Sequence, residues 1–189
     1  TVKSTSKFYY GVAFLDASSA TTEDAMTKSN TYKDEGVVSS KLQSSTFYNT
    51  RLGKGDEIAD YSFNYSLGTT TVKSTSLFYY NSLRASNASV SSDTAMDLSE
   101  SYKGQVSGVD LAKLQSKTFY VGEKSDEIAD YSYNYTIKPT GNSVLKSTSF
   151  VYYDAGMDNT DPLNPVGRDP ERASGAHVTT DSAMKVSES

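Results

Sequence analysis

The stretch ADYSFNYSL, residues 59–67, decides how this chain folds. Its apolar residues alternate with Asp, Ser and Asn, and this period of two is typical of a strand with one buried side. The alternating apolar residues are Ala59, Tyr61, Phe63, Tyr65 and Leu67. The same pattern returns as ADYSYNYTI at residues 129–137. We therefore predict that an aromatic row on each of these strands packs inward and forms much of the core.

The stretch belongs to a tandem repeat of about 70 residues. VKSTSKFYY at residues 2–10 recurs as VKSTSLFYY at 72–80 and as LKSTSFVYY at 145–153. We name residues 1–71 the first copy, residues 72–144 the second copy and residues 145–189 the partial third copy. Residues 154–177 of the third copy read as an acidic insertion that holds three of the four prolines.

Short connections between the strand-like segments predict antiparallel hairpins. GTTT at residues 68–71 separates the alternating stretch from the strand-like segment at 72–80. A shorter apolar run at residues 45–48 predicts one more strand before the alternating stretch. The predicted fold is mainly β, with tandem repeats of antiparallel strands, one short helix per repeat, and strands shared across the repeat boundaries.

The predicted helix lies at residues 92–104 and, in the first copy, at residues 22–36. Ser91 or Ser92 could cap its start and Gly104 suits the position after its end. Leu98 and Tyr102 fall on one helical face, yet together with Met96 they also fit the alternation of a strand. We expect a short helix here, with a strand as the alternative.

Composition excludes several function classes. Ser and Thr make up about a quarter of the chain, and Cys and Trp are absent, so there is no disulfide framework and no thiolate metal site. The net charge of −5 with scattered lysines argues against nucleic acid as a partner. No stretch approaches the roughly 20 apolar residues of a membrane span.

Candidate catalytic residues are few, and we predict neither an enzyme nor a cofactor. The one histidine, His177, lies in the insertion without partners for a triad or a metal site. The acids Asp56, Glu57 and Asp60 recur in the second copy at residues 126, 127 and 130. Acids kept in every copy of a repeat indicate structural positions beside a strand, where they solvate its outer face or deter edge pairing.

Acidic residues also cluster in the insertion of the third copy. Calcium prefers several oxygen ligands, but the spacing here matches no EF-hand loop, so we expect a solvated acidic loop with calcium binding as the alternative. The residues of this cluster are Asp154, Asp158, Asn159, Asp161 and Asp169.

Two kinds of surface position are candidates for contact or modification. Asn64 and Asn134 stand in formal N-glycosylation sequons on the polar side of the alternating strands. Tyr9, Tyr79 and Tyr152 belong to segments with aromatic residues on both faces, so one face could contact a ligand, a subunit or another layer.

These observations favour a structural repeat segment of a surface or extracellular assembly, such as a filament, sheath or adhesin stalk. Stacked repeats gain stability from their neighbours, so we expect self-association or further copies as partners. The alternatives are a carbohydrate-binding module that uses a Tyr-rich face and an intracellular scaffold that becomes ordered on larger subunits.

Overall fold

A computed structural model describes residues 1–158 and 166–188. Within them the chain forms one open antiparallel sheet of 13 strands and a separate two-stranded ribbon. The strands are β1 Ser4–Tyr10, β2 Leu15–Asp16, β3 Met26–Lys33, β4 Leu42–Asn49, β5 Ile58–Tyr65, β6 Val72–Tyr80, β7 Leu83–Arg84, β8 Met96–Lys103, β9 Leu114–Val121, β10 Ile128–Thr136, β11 Val144–Tyr153, β12 Met157–Asp158, β13 Val166–Gly167, β14 Glu171–Arg172 and β15 Met184–Glu188. Strands β12 and β13 form the ribbon.

The long strands follow one another across the sheet nearly in chain order. The order is β14, β11, β10, β9, β8, β6, β5, β4, β3, β1 and β2, while β15 also pairs with β11 and β7 with β6. The first copy contributes β1, β3, β4 and β5, and the second contributes β6, β8, β9 and β10. Because β5 pairs with β6 and β10 with β11, the sheet runs without a break through both copy boundaries.

The alternating stretch is the strand that the sequence predicts, and its hairpin is also confirmed. Strand β5 turns into β6 through a tight connection in which the amide of Ser66 donates to the carbonyl of Thr71 at 3.1 Å. Gly68 has a φ of 83° in this turn, a backbone conformation that a residue without a side chain adopts most readily. Strands β10 and β11 form the equivalent hairpin in the next copy.

The predicted helices at residues 22–36 and 92–104 are wrong, because these segments contain strands β3 and β8. Strand β8 is hydrogen-bonded to β6 on one side and to β9 on the other, along most of its length. Pairing on both sides outweighs the weak helical preference of a segment rich in Ser and Asp. In the described residues the one helical element is a 3₁₀ turn at Ser39–Lys41.

The sheet is a single layer, since its long strands contact chiefly their hydrogen-bonded neighbours. Pairing registers place rings such as Phe47, Tyr61 and Phe63 on one side, which we call the aromatic face. The opposite side carries a row of Thr46, Ser62, Ser76, Ser101 and Ser116 across five strands, and we call it the hydroxyl face.

The expectation that the aromatic rows pack inward and form much of the core is met only in part, because the rings are half-buried and no second layer covers them among the described residues. Tyr61 and Phe63 are half-buried and cover one another, whereas Ser62 between them is 7% exposed. A compact protein of this mass would expose about 8,900 Å², and this chain exposes 11043 Å².

Burial is concentrated in two small clusters on opposite faces near the boundary between the first two copies. The cluster on the aromatic face consists of Leu77, Tyr102, Val106 and Leu114. The cluster on the hydroxyl face consists of Ile58, Tyr80, Ala85 and Val90. Both of these buried clusters of the described residues therefore lie near the place where the second copy joins the first.

Candidate functional site

A β-bulge in β5 prepares the contact that joins the copies. Phe47 pairs with Tyr61, and the next pair is Tyr48 with Ala59, so Asp60 is the extra residue of the bulge. A bulge re-aims the side chain that it displaces. Asp60 consequently leaves the polar side that strict alternation predicts and lines the aromatic face beside Tyr61.

The bulged aspartate binds an arginine from the following copy. Arg84 Nη2 and Nε donate to Asp60 Oδ1 at 2.7 and 3.1 Å, and Nη2 also lies 3.2 Å from the Asp60 carbonyl oxygen. The side chains of Arg84 and Asp60 are 27% and 22% exposed, so this charged pair is shielded from water more than an ordinary surface pair.

The same contact recurs at the second boundary. Asp130 is the extra residue of a bulge in β10, and both its carboxylate oxygens accept hydrogen bonds from Arg172, at 2.7 and 2.5 Å. The hydrogen bond to Asp130 raises the pKa of Arg172 above its usual value. Arg172 also lies over the ring of Phe150, 4.5 Å from its centroid, which adds a cation–π contact.

A tyrosine forms a second link on the hydroxyl face at both boundaries. The hydroxyl of Tyr80 donates to the carbonyl of Ala59 at 2.8 Å, and that of Tyr153 donates to the carbonyl of Ala129 at 2.7 Å. Each acceptor is the residue before the bulged aspartate. The bulge is therefore held from one face by an arginine and from the other by a tyrosine.

The recurring glutamates have a separate structural partner. Glu57 Oε1 accepts the backbone amide of Met26 at 2.8 Å, and Glu127 Oε1 accepts that of Met96 at 2.9 Å. Each glutamate thus fixes the start of a strand within its own copy. These contacts are more specific than the solvated strand edge that the sequence indicates for Asp56, Glu57 and Asp60.

A buried ionic network lies in the second copy. Glu100, 4% exposed, accepts hydrogen bonds from the hydroxyls of Tyr79 and Tyr102, and Lys117 Nζ lies 2.6 Å from its other carboxylate oxygen. Burial alone would raise the pKa of Glu100, but the bonds from Lys117 and the two tyrosines outweigh it and hold the pKa below the usual value. Burial and then the bond to Glu100 raise the pKa of Tyr79 far above its ordinary range.

The first copy has a neutral version of this network at the equivalent positions. Asn30 Nδ2 donates to the hydroxyls of Tyr32 and Tyr9 at 3.0 and 3.4 Å, and Ser45 Oγ donates to Asn30 Oδ1 at 2.7 Å. The pair Asn30 and Ser45 thus stands where Glu100 and Lys117 stand one copy later.

The predicted contact residues Tyr9, Tyr79 and Tyr152 all lie half-buried on the aromatic face. The hydroxyls of Tyr9 and Tyr79 are occupied by the two networks. Tyr152 pairs in register with Arg172. The structure therefore brings these residues onto one face but not together, and it leaves the prediction of ligand contact untested.

The predicted glycosylation positions are engaged within the sheet. Asn64 Nδ2 donates to Ser74 at 3.3 Å, and Asn134 Nδ2 donates to Ser149 at 2.9 Å and Ser147 at 3.4 Å. A glycan would take the place of one of the two N–H hydrogens, so Asn134 could keep at most one of its two bonds. The third sequon of the chain begins at Asn87, which is exposed in a loop.

The acidic insertion of the third copy shows ordinary polar contacts where it is described. Asp154 accepts the backbone amide of Gly156 and lies 3.3 Å from Lys185, and both contacts lower its pKa. The described residues contain no group of three or more His, Cys, Asp or Glu that could hold a metal ion. Asn159 and Asp161 lie outside the described residues, as does the side chain of Asp158, so calcium binding there stays a prediction.

His177 lies close to Glu171, with 2.6 Å between Nδ1 and Oε1. This contact lowers the pKa of Glu171. Both groups are substantially exposed, with side-chain exposures of 45% and 28%, which suits a surface contact.

The outer strand β1 carries a charged pair in place of the core contacts of later copies. Lys7 stands where the second copy has the buried Leu77, and its Nζ lies 2.8 Å from Asp16. Asp16 itself stands where the later copies have Arg84 and Arg172, since each pairs with the same tyrosine of its copy. A charged lysine on an edge strand disfavours pairing with another strand.

The bridging arginines are the residues that sequence analysis missed. A signal was available, because Arg84-Ala-Ser and Arg172-Ala-Ser recur after very different lengths of chain. Strand β14 also pairs with Tyr152 and Tyr153 as β7 pairs with Tyr79 and Tyr80. The extra residues of the third copy therefore lie in the sequence between Tyr153 and Glu171, which connects β11 to β14.

Comparison with known proteins adds no assignment to this geometry. Among the described residues, no helix is long and apolar enough to cross a membrane. No protein-family model, no curated protein and no solved structure matches the chain.

Proposed function

We propose that this chain is a non-enzymatic structural repeat protein of a surface or extracellular assembly, in which each copy adds strands to one continuous sheet. The observation that carries the proposal is the recurrence of the same junction at both copy boundaries. Each junction combines a hairpin, a bulged aspartate held by an arginine, and a tyrosine bonded to the adjacent carbonyl. A junction that can be repeated is what a modular array requires.

Lengthening the chain tests the modular role. The second copy supplies four long strands to the sheet. A chain in which a duplicate of residues 72–144 is inserted after residue 144 should therefore form a sheet wider by about 19 Å at the usual strand spacing. Small-angle X-ray scattering should show this gain in the maximum dimension with an unchanged cross-section. A thicker particle of unchanged length would contradict the modular role.

The location and assembly state need native material. Immunogold electron microscopy of intact cells should place the protein on the surface, and negative staining of purified native material should show filaments or sheath fragments. A protein that is strictly monomeric and confined to the cell interior would refute the assembly proposal.

A further inference from the structure

The boundary between the first two copies contains a cavity of about 600 Å³ on the aromatic face. This volume lies within the range of small-molecule sites, roughly 300–1,000 Å³. Strand β5 of the first copy forms one wall and a loop of the second copy forms another. The residues that line it include Asp60, Tyr61, Phe63, Arg84, Gln105 and Ser107.

The loop that forms the second wall of the cavity is held in place by hydrogen bonds within the chain. Thr75 is fully buried, its hydroxyl donates to the carbonyl of Gly104 at 2.8 Å, and it accepts the amide of Val106 at 3.1 Å. The side chain of Val106 packs in the cluster with Leu77 and Tyr102. A preformed wall lowers the entropy cost of binding.

The charges in the cavity compensate each other. Arg84 and Asp60 form the ion pair described above, so the cavity offers no uncompensated charge to an ionic ligand. Within the described residues, Asp60 Oδ2 and Arg84 Nη1 make no hydrogen bond, which leaves one acceptor and one donor available beside the amide of Gln105 and the hydroxyl of Ser107. Donors and acceptors in close mixture suit hydroxyl groups, which both give and accept hydrogen bonds.

The aromatic residues supply an apolar surface next to these polar groups. Phe47 stacks on Tyr61 with centroids 4.6 Å apart, and Phe63 lies 5.3 Å from Tyr61, so the rings support one another. A ligand that fits must present an apolar face to the rings and hydroxyls to Asp60 and Gln105. A sugar ring combines a face of C–H groups with a rim of hydroxyls.

We propose that this cavity binds a neutral sugar unit of a glycan, with Tyr61 and Phe63 against the ring and with Asp60, Arg84 and Gln105 bonded to its hydroxyls. The site is distinct from the tyrosines Tyr9 and Tyr79 that the sequence nominates for ligand contact. A glycan site at a copy junction goes beyond the structural role, because it would attach the array to a polysaccharide.

The full chain can be titrated with neutral glycans built from glucose, galactose, mannose and N-acetylglucosamine, with glucuronic acid and glucose 6-phosphate as charged comparators. Amide chemical shifts measured by NMR should change saturably at Gln105 and Ser107 with at least one neutral glycan, and not with the charged sugars. The absence of any such change across the neutral panel, or stronger binding of the charged sugars, would overturn the proposal.

Two matched variants locate the binding. Gln105→Ala removes an exposed side chain that lines the cavity, and we expect it to weaken the affinity about 5- to 10-fold, as the loss of one good hydrogen bond does. Gln115→Ala alters another exposed glutamine, outside the cavity, and should leave the affinity unchanged. Equal affinities for Gln105→Ala and the unaltered chain would place the sugar elsewhere. The scattering test of the modular role does not depend on this result.

Discussion

The ionic network of the second copy permits a stringent test of how polar groups stabilise this sheet. Replacing Lys117 with Ser leaves Glu100 with its tyrosine partners but without a counter-charge, at a site where its carboxylate is almost fully buried. Removing one partner of a buried ion pair costs about 3–5 kcal/mol. Because Lys117 retains 28% exposure, we expect a loss near the lower end, about 3 kcal/mol.

The double variant Glu100→Asn with Lys117→Ser provides the matched control, because it installs the neutral pair that the first copy already uses. Its bonds to Tyr79 and Tyr102 should resemble those that Asn30 makes to Tyr9 and Tyr32. We expect it to lose about 1 kcal/mol or less, since exchanging both charges avoids an unpaired buried group. Urea unfolding at pH 7, followed by circular dichroism, gives both free energies of unfolding.

The pH dependence of stability gives a further comparison, between the unaltered chain and the double variant. In the unaltered chain the pKa of Glu100 is lowered on folding, so its contribution to stability is present above the unfolded pKa of about 4.3 and is lost as the pH falls through the folded value. The double variant lacks this contribution. The difference in the free energy of unfolding between the unaltered chain and the double variant should therefore shrink in acid. A cost below 1 kcal/mol for Lys117→Ser at pH 7, or equal costs for the single and double variants, would refute the reasoning.

Four further variants test other contacts. Arg84→Gln should lower the free energy of unfolding by about 1.5–3 kcal/mol through its lost charged hydrogen bonds, and Arg172→Gln, at the equivalent junction, should do the same in urea titrations. Thr75→Val removes both anchors of the loop at Gly104–Val106 and should speed hydrogen exchange at the amide of Val106, while Thr5→Val leaves that amide unchanged. Lys7→Leu should shift the chain toward larger species in sedimentation velocity because it removes a charge from the edge strand, whereas Lys3→Leu, outside the strand, should not.

The sequence predicted correctly those parts of the fold that depend only on the residues of one strand and its turn. The alternation from Ala59 onward and the glycine at position 68 are enough to predict β5, β6 and the hairpin between them. The segment at residues 92–104 carried the local marks of a helix, with Ser at its start and Gly at its end. Its strand conformation depends on β6 and β9, and no window of the sequence shows that both lie beside it.

The burial pattern was harder to predict for a related reason. Alternation predicts two different faces but does not say whether a second layer covers either of them. Here no layer covers the aromatic face within the described residues, and the small residues Ser45 and Thr75 are more buried than the rings around them. The contact between Asp60 and Arg84 forms because a bulge turns Asp60 to the aromatic face. This contact could not be predicted, because a bulge shifts the register of a strand without a reliable mark in the sequence.

The order of the strands has a mechanical consequence. Since neighbours in the sheet are neighbours in the chain, β1 and β15 lie toward opposite edges. Tension applied at β1 and β15 would act perpendicular to the strands. It would break the backbone hydrogen bonds between neighbouring strands a pair at a time. The strand pairings lie in series and carry the same force, so each hairpin that opens releases its own length of chain. The sheet would therefore lengthen in steps at low force and absorb a sudden pull.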